Sequence, residues 1–167
     1  MAEELWRVIP DFPDYMISSY GNVFNRKLNT IVVPSLNQYN DVKITLRRDR
    51  ESKTVLVRNL VAREFIPNDR EFFQTVVHID GNHKNVSVNN LVWRPRWFAW
   101  KYSHQFTEID MFPQYHTIPV HNLTNGMNYD SIVDAGMADV VLFKDVLMSA
   151  YNGNKVFPDQ GPYVFIE

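Results

Sequence analysis

The sequence predicts an α+β fold of short antiparallel strands and separate helices, and three patterns indicate this class. Residues 76–93 read VVHIDGNHKNVSVNNLVW, an apolar run, an Asp-Gly turn, an Asn-rich loop and a second apolar run. Two antiparallel strands joined by a tight turn follow from that order. Pro95 and the aromatic-rich segment behind it predict a helix, since proline suits the first helical position. Residues 42–46 alternate strictly between apolar and polar side chains, which is typical of a half-buried strand.

The chain before residue 76 is predicted to be mostly strand. Residues 47–52 are a charged turn, so the strands on either side of them form a hairpin with a basic tip. Residues 58–66 have Leu60, Val61 and Phe65 on one helical face, and Pro67 stops that helix. Strands are predicted at residues 6–10, on both sides of Gly21 within residues 15–25, at 42–46 and at 53–57.

The last third of the chain is predicted to be a small mixed module. Thr124-Asn125-Gly126 is a hairpin turn between residues 118–123 and 127–129. Asp130-Ser131 suits the cap of a helix over residues 132–138, and Asn152-Gly153 ends a second helix over 142–151. Residues 163–166 close the module as a strand.

The central stretch resembles the HNH nucleases, specifically the phage and intron-encoded homing endonucleases. That family's pattern is similar to N-H-x-D-G-N, a loop with paired asparagines, then N-L-x-W. A plain Asx-rich hairpin with a core histidine is the alternative, because motif matches are hypotheses. The matching positions are His78, Asp80, Gly81, Asn82, Asn85, Asn90, Leu91 and Trp93.

Two further blocks extend the resemblance to roughly residues 6–106. Residues 15–25, YMISSYGNVFN, are similar to the opening of a nuclease-associated modular domain, and residues 60–68, LVAREFIPN, resemble a block that precedes the HNH motif. The tail weakly resembles a helix-turn-helix module. The resemblance implies an N-terminal β-rich region (1–68), a ββα-metal motif (69–108) and an acidic C-terminal hairpin and helix-turn-helix-like module (109–167).

The resemblance also implies metal-assisted hydrolysis of a DNA phosphodiester. His78 takes the place of the general base and Asn90 that of the residue tying strand to loop, with Mg²⁺ or Mn²⁺ as the ion. The family's two metal ligands precede the base and follow the central asparagine by nine residues. Those positions hold Val77 and Ala99, which have no oxygen to offer a hard cation. A shift of register to Asp80, Asn82 or His83 restores no ligand pair, so no metal ligand is predicted.

Charge is divided unevenly along the chain, although its net value is only −2. Residues 26–101 hold 14 Lys/Arg against 7 Asp/Glu, whereas residues 102–167 hold 2 against 8. The central part is therefore predicted to bind duplex DNA, since affinity follows local positive charge. A merely solvated hairpin tip is the alternative. The candidate DNA contacts are Arg47, Arg48, Arg50, Lys53, Lys84, Arg94 and Arg96.

Three functions stay open at this stage. The first is a DNA-binding protein whose hydrolysis is weak or lost, the second an active metal-dependent nickase using His78. The third is a phage protein whose acidic tail engages a protein partner. The chain has no cysteine, which excludes disulfides and thiolate metal sites. The lack of a signal peptide or a long apolar run predicts an intracellular protein with no membrane partner. The resemblance implies the cytoplasm of an infected bacterial host.

Overall fold

The structure is a computed structural model that describes residues 3–167. Backbone contacts group the chain into two compact units, Met1–Arg96 and Trp97–Glu167. Both units combine antiparallel strands with helices, which confirms the predicted α+β class. The division into three segments ending at residues 68, 108 and 167 stays a prediction.

The first unit begins with two small antiparallel sheets. A four-stranded sheet has the order β1 (Trp6–Ile9), β2 (Phe12–Ser18), β3 (Val23–Asn25) and β4 (Thr30–Ile31). A three-stranded sheet has the order β5 (Ser35–Leu36), β6 (Val42–Arg48) and β7 (Glu51–Leu56). The predicted alternation in β6 is confirmed, because Ile44 and Leu46 are buried while Thr45 is exposed.

A single helix and a hairpin complete this unit. Helix α1 (Val57–Phe65) buries Val57, Leu60, Val61 and Ala62 in the core that also contains Ile17 and Leu46. Strands β8 (Thr75–His78) and β9 (Leu91–Arg94) pair antiparallel, with a 3₁₀ turn at Val88–Asn90 between them.

Gly21 lets the β2–β3 turn approach the loop of that hairpin. Its φ of +86° lies in the left-handed region, and a Cβ there would sit 2.4 Å from Val86 Cγ2. Strands β1–β3 and the β8–β9 hairpin thus share one core.

The second unit contains the remaining elements. Helix α2 (Arg96–Glu108) begins one residue after Pro95 rather than at it. Ser131 Oγ accepts a hydrogen bond from the Asp134 amide, which confirms the predicted cap, and Gly153 ends the last helix with a left-handed φ of 72°. The other elements are β10 (Val120–Asn122), β11 (Asn128–Tyr129), α3 (Ile132–Ala138), α4 (Phe143–Asn152), β12 (Tyr163–Phe165) and 3₁₀ turns at Ile109–Met111 and Pro113–His116.

A partly buried polar network joins the sheet of the second unit to the end of α3. The Asp139 carboxylate accepts hydrogen bonds from the Asn122 amide at 2.8 Å, the Tyr129 hydroxyl at 2.8 Å and the Tyr163 hydroxyl at 2.7 Å. Hydrogen bonds within the second unit therefore satisfy the Asp139 carboxylate. None of the helices within residues 3–167 has the length and apolar character needed to span a bilayer.

Candidate functional site around His78

His78 is the last residue of β8 and lies opposite Leu91 of β9. Its side chain is 3 % exposed. The Gly81 amide donates a hydrogen bond to the His78 carbonyl at 3.1 Å, and Gly81 takes a φ of 72° that favours glycine. The Asp-Gly turn predicted from the sequence therefore begins directly behind the histidine.

Hydrogen bonds from Asn90 connect the loop that follows His78 to the start of β9. Its Nδ2 donates to Asp80 Oδ1 at 2.9 Å and to the Asn85 carbonyl at 2.8 Å, while its Oδ1 accepts from the Asp80 amide at 3.0 Å. Asp80 Oδ1 also accepts from the Asn82 amide, and Asp80 Oδ2 from Asn85 Nδ2, both at 2.8 Å. The motif residues predicted to support the site thus form one connected network.

The positions that correspond to the family's metal ligands do not fit a hard divalent ion. Val77 is 1 % exposed and Ala99 is 6 % exposed, and both side chains contain only carbon. Mg²⁺ and Mn²⁺ favour oxygen ligands, and neither residue supplies a donor atom of any kind.

A different group of potential ligands surrounds His78. One ligand atom from each of Asp41, His78 and His83 lies within 4.8 Å of the other two. His83 Nδ1 is 2.9 Å from Asp41 Oδ1, and the two imidazole rings stack with centroids 5.0 Å apart. Asp41 belongs to the loop between β5 and β6, far from the motif in sequence. No local pattern marks it, so sequence reasoning missed this residue.

Arg58 of α1 is a cation in direct contact with this cluster. Its Nη1 lies 2.5 Å from Asp41 Oδ1, and Asn37 Nδ2 donates to Asp41 Oδ2 at 3.2 Å. Burial lowers the pKa of Arg58, and the Asp41 carboxylate opposes that shift. Sequence reasoning singled out neither Arg58 nor Asn37.

Burial also determines the protonation of His78. It lowers the pKa of His78 from 6.5 to about 4, and the positive charge of Arg58 and the neighbouring His83 add to the shift. His78 is consequently neutral at pH 7 and a weaker base than an exposed histidine.

The predicted DNA contacts divide into exposed and buried residues. Arg47 lies opposite Ser52 and beside the Thr45–Thr54 pair, on the face of the β6–β7 ribbon that points away from the core. Arg48 is on the other face, where its Nη1 donates to the Asp11 carbonyl at 3.3 Å. The further exposed candidates are Arg50, Lys53, Lys84 and Arg96.

Arg94 has a different environment from the other six candidates. It is 8 % exposed, its Nη1 donates to the Trp93 carbonyl at 3.0 Å, and its guanidinium lies 5.9 Å from the Phe73 ring centre. This burial indicates a packing role for Arg94, and its contact with DNA stays a prediction.

Comparison of the sequence with known proteins finds similarity to HNH endonucleases and to a nuclease-associated motif. Residues 4–47 match the NUMOD4 motif. The chain is 32 % identical over 88 residues to an uncharacterized HNH endonuclease of Acanthamoeba polyphaga mimivirus, an alignment covering 53 % of this chain and 22 % of that protein. It is also 32 % identical over 94 residues to H-N-H endonuclease F-TflII of Escherichia phage T5. That alignment covers 55 % of this chain and 48 % of the phage protein. The chain thus spans about half the length of these curated relatives or less.

A solved structure extends the likeness to nearly the whole chain. The HNH homing endonuclease I-HmuI, described as binding and cleaving DNA, superposes with a TM-score of 0.55. The match covers 97 % of this chain and 98 % of that one at 19 % identity. At this level of identity the comparison concerns the fold alone.

Proposed function

We propose that the chain is a member of the HNH homing-endonuclease family, that it binds double-stranded DNA through its first unit and that it hydrolyses DNA weakly or not at all. The observation that carries this proposal is the combination of an exposed basic ribbon, β6–β7, with carbon side chains at both ligand positions of the family. The exposed basic ribbon supports DNA binding, and the lack of donor atoms at Val77 and Ala99 supports weak hydrolysis.

The binding half of the proposal follows from local charge. Residues 26–101 have a net charge of +7, and Arg47, Arg50 and Lys53 are exposed on one ribbon. A two-stranded ribbon fits the major groove, and each neutralised phosphate releases condensed counterions. The second unit has only two basic residues beyond Lys101, so we leave it out of the proposed contact.

The proposal of weak or absent hydrolysis rests on the chemistry of the site. Charge developing on the phosphate needs stabilisation worth several kcal/mol, which the family obtains from its ion. Val77 and Ala99 give that ion no ligand. His78, with a pKa of about 4, is also poorly matched to general-base catalysis near pH 7.

A protein partner for the acidic second unit is a further candidate. Helix α4 leaves Met148 and Tyr151 exposed, and Phe165 of β12 packs against the Tyr151 ring. We propose this contact only as an addition to DNA binding, since it uses a different part of the chain.

The experiment measures binding and cleavage separately. Affinity for a fluorescent duplex is titrated at several salt concentrations, and nicking of supercoiled plasmid is followed with Mg²⁺ or Mn²⁺. We expect salt-dependent binding and little nicking by the wild type, unchanged in His78→Ala. Robust nicking abolished by His78→Ala would show an active enzyme, and absence of binding at low salt would refute the DNA-binding role.

A further inference from the structure

We propose that Asp41, His78 and His83 form a binding site for one divalent ion of the zinc class. This site differs from the family's ligand positions at Val77 and Ala99, and it is independent of DNA binding. All three residues belong to the first unit and come from two segments, the β5–β6 loop and the β8–β9 hairpin.

The spacing of the three side chains suits a four-coordinate ion. Ligand atoms around such an ion stand about 3.3 Å apart when each bond is about 2.0–2.1 Å. His83 Nδ1 and Asp41 Oδ1 are already 2.9 Å apart, and no pair in the cluster exceeds 4.8 Å. His83 is half-buried on a turn, which leaves its ring room to adjust toward an ion.

Two imidazole nitrogens in this cluster have no hydrogen-bond partner among the described residues. His78 Nε2 is buried without one, and His78 as a whole is 97 % buried. His83 Nδ1 is also buried, and its approach to Asp41 lacks hydrogen-bond alignment. Buried polar atoms without partners are uncommon and costly. A bound ion would satisfy both nitrogens at once.

The ligand types and Arg58 together determine which ion fits. Imidazole nitrogen favours zinc and its transition-metal neighbours, whereas Mg²⁺ depends on carboxylate and water oxygens. Asp41 is the only carboxylate in the cluster, and Arg58 Nη1 lies 2.5 Å from it. The guanidinium cancels the charge that would attract a hard cation, so Mg²⁺ gains little here.

Ion binding would change the role of His78. A ring nitrogen that coordinates an ion is unavailable to take a proton from water. The ion would instead join the loop before β6 to the end of β8, which stabilises the folded first unit against unfolding.

The test uses the full chain freed of metal with a chelator. Thermal unfolding is followed with ZnCl₂, CoCl₂ or MgCl₂, and the visible absorption of Co²⁺ reports its coordination. We expect Zn²⁺ and Co²⁺ to bind with one equivalent and raise Tm, Co²⁺ to show bands of a four-coordinate site, and Mg²⁺ to do neither.

Three variants locate the site. His83→Gln should weaken Zn²⁺ affinity by more than about a hundredfold, beyond the roughly 10–100-fold effect of losing only a supporting partner. Arg58→Gln should lower Tm without metal and enlarge the rise with Zn²⁺, because the competing cation is gone. His104→Gln is the matched control, since His104 Nε2 and Glu108 Oε1, 3.6 Å apart on α2, are an alternative place for an ion.

Each contrary outcome overturns the proposal. Loss of Zn²⁺ binding in His104→Gln with retention in His83→Gln would place the ion on α2. Equal Tm shifts with Zn²⁺ and Mg²⁺, or no shift with either, would show that the three side chains do not select an ion. If Arg58→Gln proves unstable, the His83→Gln and His104→Gln pair still decides.

Discussion

Asn90 and Asp80 are joined by two hydrogen bonds, one to the Asp80 backbone amide and one to the Asp80 carboxylate. Asn90 Oδ1 accepts from the Asp80 amide at 3.0 Å, and Asn90 Nδ2 donates to Asp80 Oδ1 at 2.9 Å. The Ile79 amide also donates to the Asn90 carbonyl at 2.8 Å. These contacts fix the chain directly after His78, so the position of the histidine depends on an asparagine twelve residues away.

Asn90→Ala should therefore destabilise the first unit. The buried side chain has three hydrogen bonds, and its loss leaves the Asp80 amide and the Asn85 carbonyl without this partner. We expect a loss of about 3 kcal/mol in the free energy of unfolding, measured by denaturant titration. Asn89→Ala, at the exposed neighbouring position, is the control and should change stability little. Equal effects of the two variants would contradict this role of Asn90.

Sequence reasoning located the elements that local pattern determines. The strict alternation of residues 42–46, the Asp-Gly turn behind His78 and the cap at Ser131 all appear as predicted. Asp41 and Arg58 were not found, because their approach to His78 depends on how the β5–β6 loop and α1 pack against the hairpin. Such long-range contacts leave no local signal in a single sequence.

Arg94 also shows that a single sequence does not reveal the surroundings of a side chain in the fold. Basic residues are usually exposed, and Arg94 lies in a positively charged segment, so the sequence predicts a DNA contact there. Its guanidinium instead packs near Phe73. Charge could be counted from the sequence, but the direction of each side chain required the fold.

His78 should make stability depend on pH in the metal-free protein. Its pKa falls from 6.5 in the unfolded chain to about 4 in the fold. Below pH 6.5 the unfolded state binds a proton that the folded state refuses, so stability is full above pH 6.5 and declines toward pH 4. We expect a contribution of up to about 3 kcal/mol, since each pKa unit corresponds to about 1.4 kcal/mol.

The measurement compares unfolding free energies at pH 7 and pH 4 with a chelator present. His78→Gln should lose less stability between these values than the wild type, because carboxylate titrations are common to both. His116→Gln, at an exposed histidine of the second unit, should behave as the wild type. A parallel decline in all three proteins would mean that His78 titrates normally.

Gly136→Ala should destabilise the second unit through a clash between α3 and α4. A Cβ at Gly136 would lie 2.3 Å from Phe143 Cδ1, and Phe143 is 1 % exposed, so its ring has little room to move. Alanine gains about 1 kcal/mol of helix propensity over glycine, whereas overpacking costs about 1–3 kcal/mol. We expect a lower Tm, with Ala138→Ser on the exposed face as control. Phe143→Leu added to Gly136→Ala should recover part of the loss.

Val77→Asn combined with Ala99→Asn should create or raise Mn²⁺-dependent nicking. The pair supplies oxygen donors at both ligand positions of the family while leaving His78 and Asn90 intact. Both positions are buried, so each amide costs about 1–3 kcal/mol if unpaired, and folding must be checked by circular dichroism. Each single variant, and His78→Ala in the double background, should stay inactive in plasmid nicking. A folded, DNA-binding double variant without activity would show that more than the two ligands has changed.

Arg47 should contribute more to DNA binding than Arg48, although the two are adjacent and equally charged. Arg47 lies on the outward face of the β6–β7 ribbon, whereas Arg48 lies opposite Glu51 and donates to the Asp11 carbonyl. Each phosphate contact contributes roughly 0.9 to the slope of log affinity against log salt. We therefore expect Arg47→Gln to reduce that slope by about 0.9 and Arg48→Gln to reduce it by less. Lys144→Gln, which removes an exposed charge from the second unit, should leave the slope unchanged. If Lys144→Gln instead flattens the salt dependence and Arg47→Gln does not, the second unit contacts the DNA and the ribbon does not.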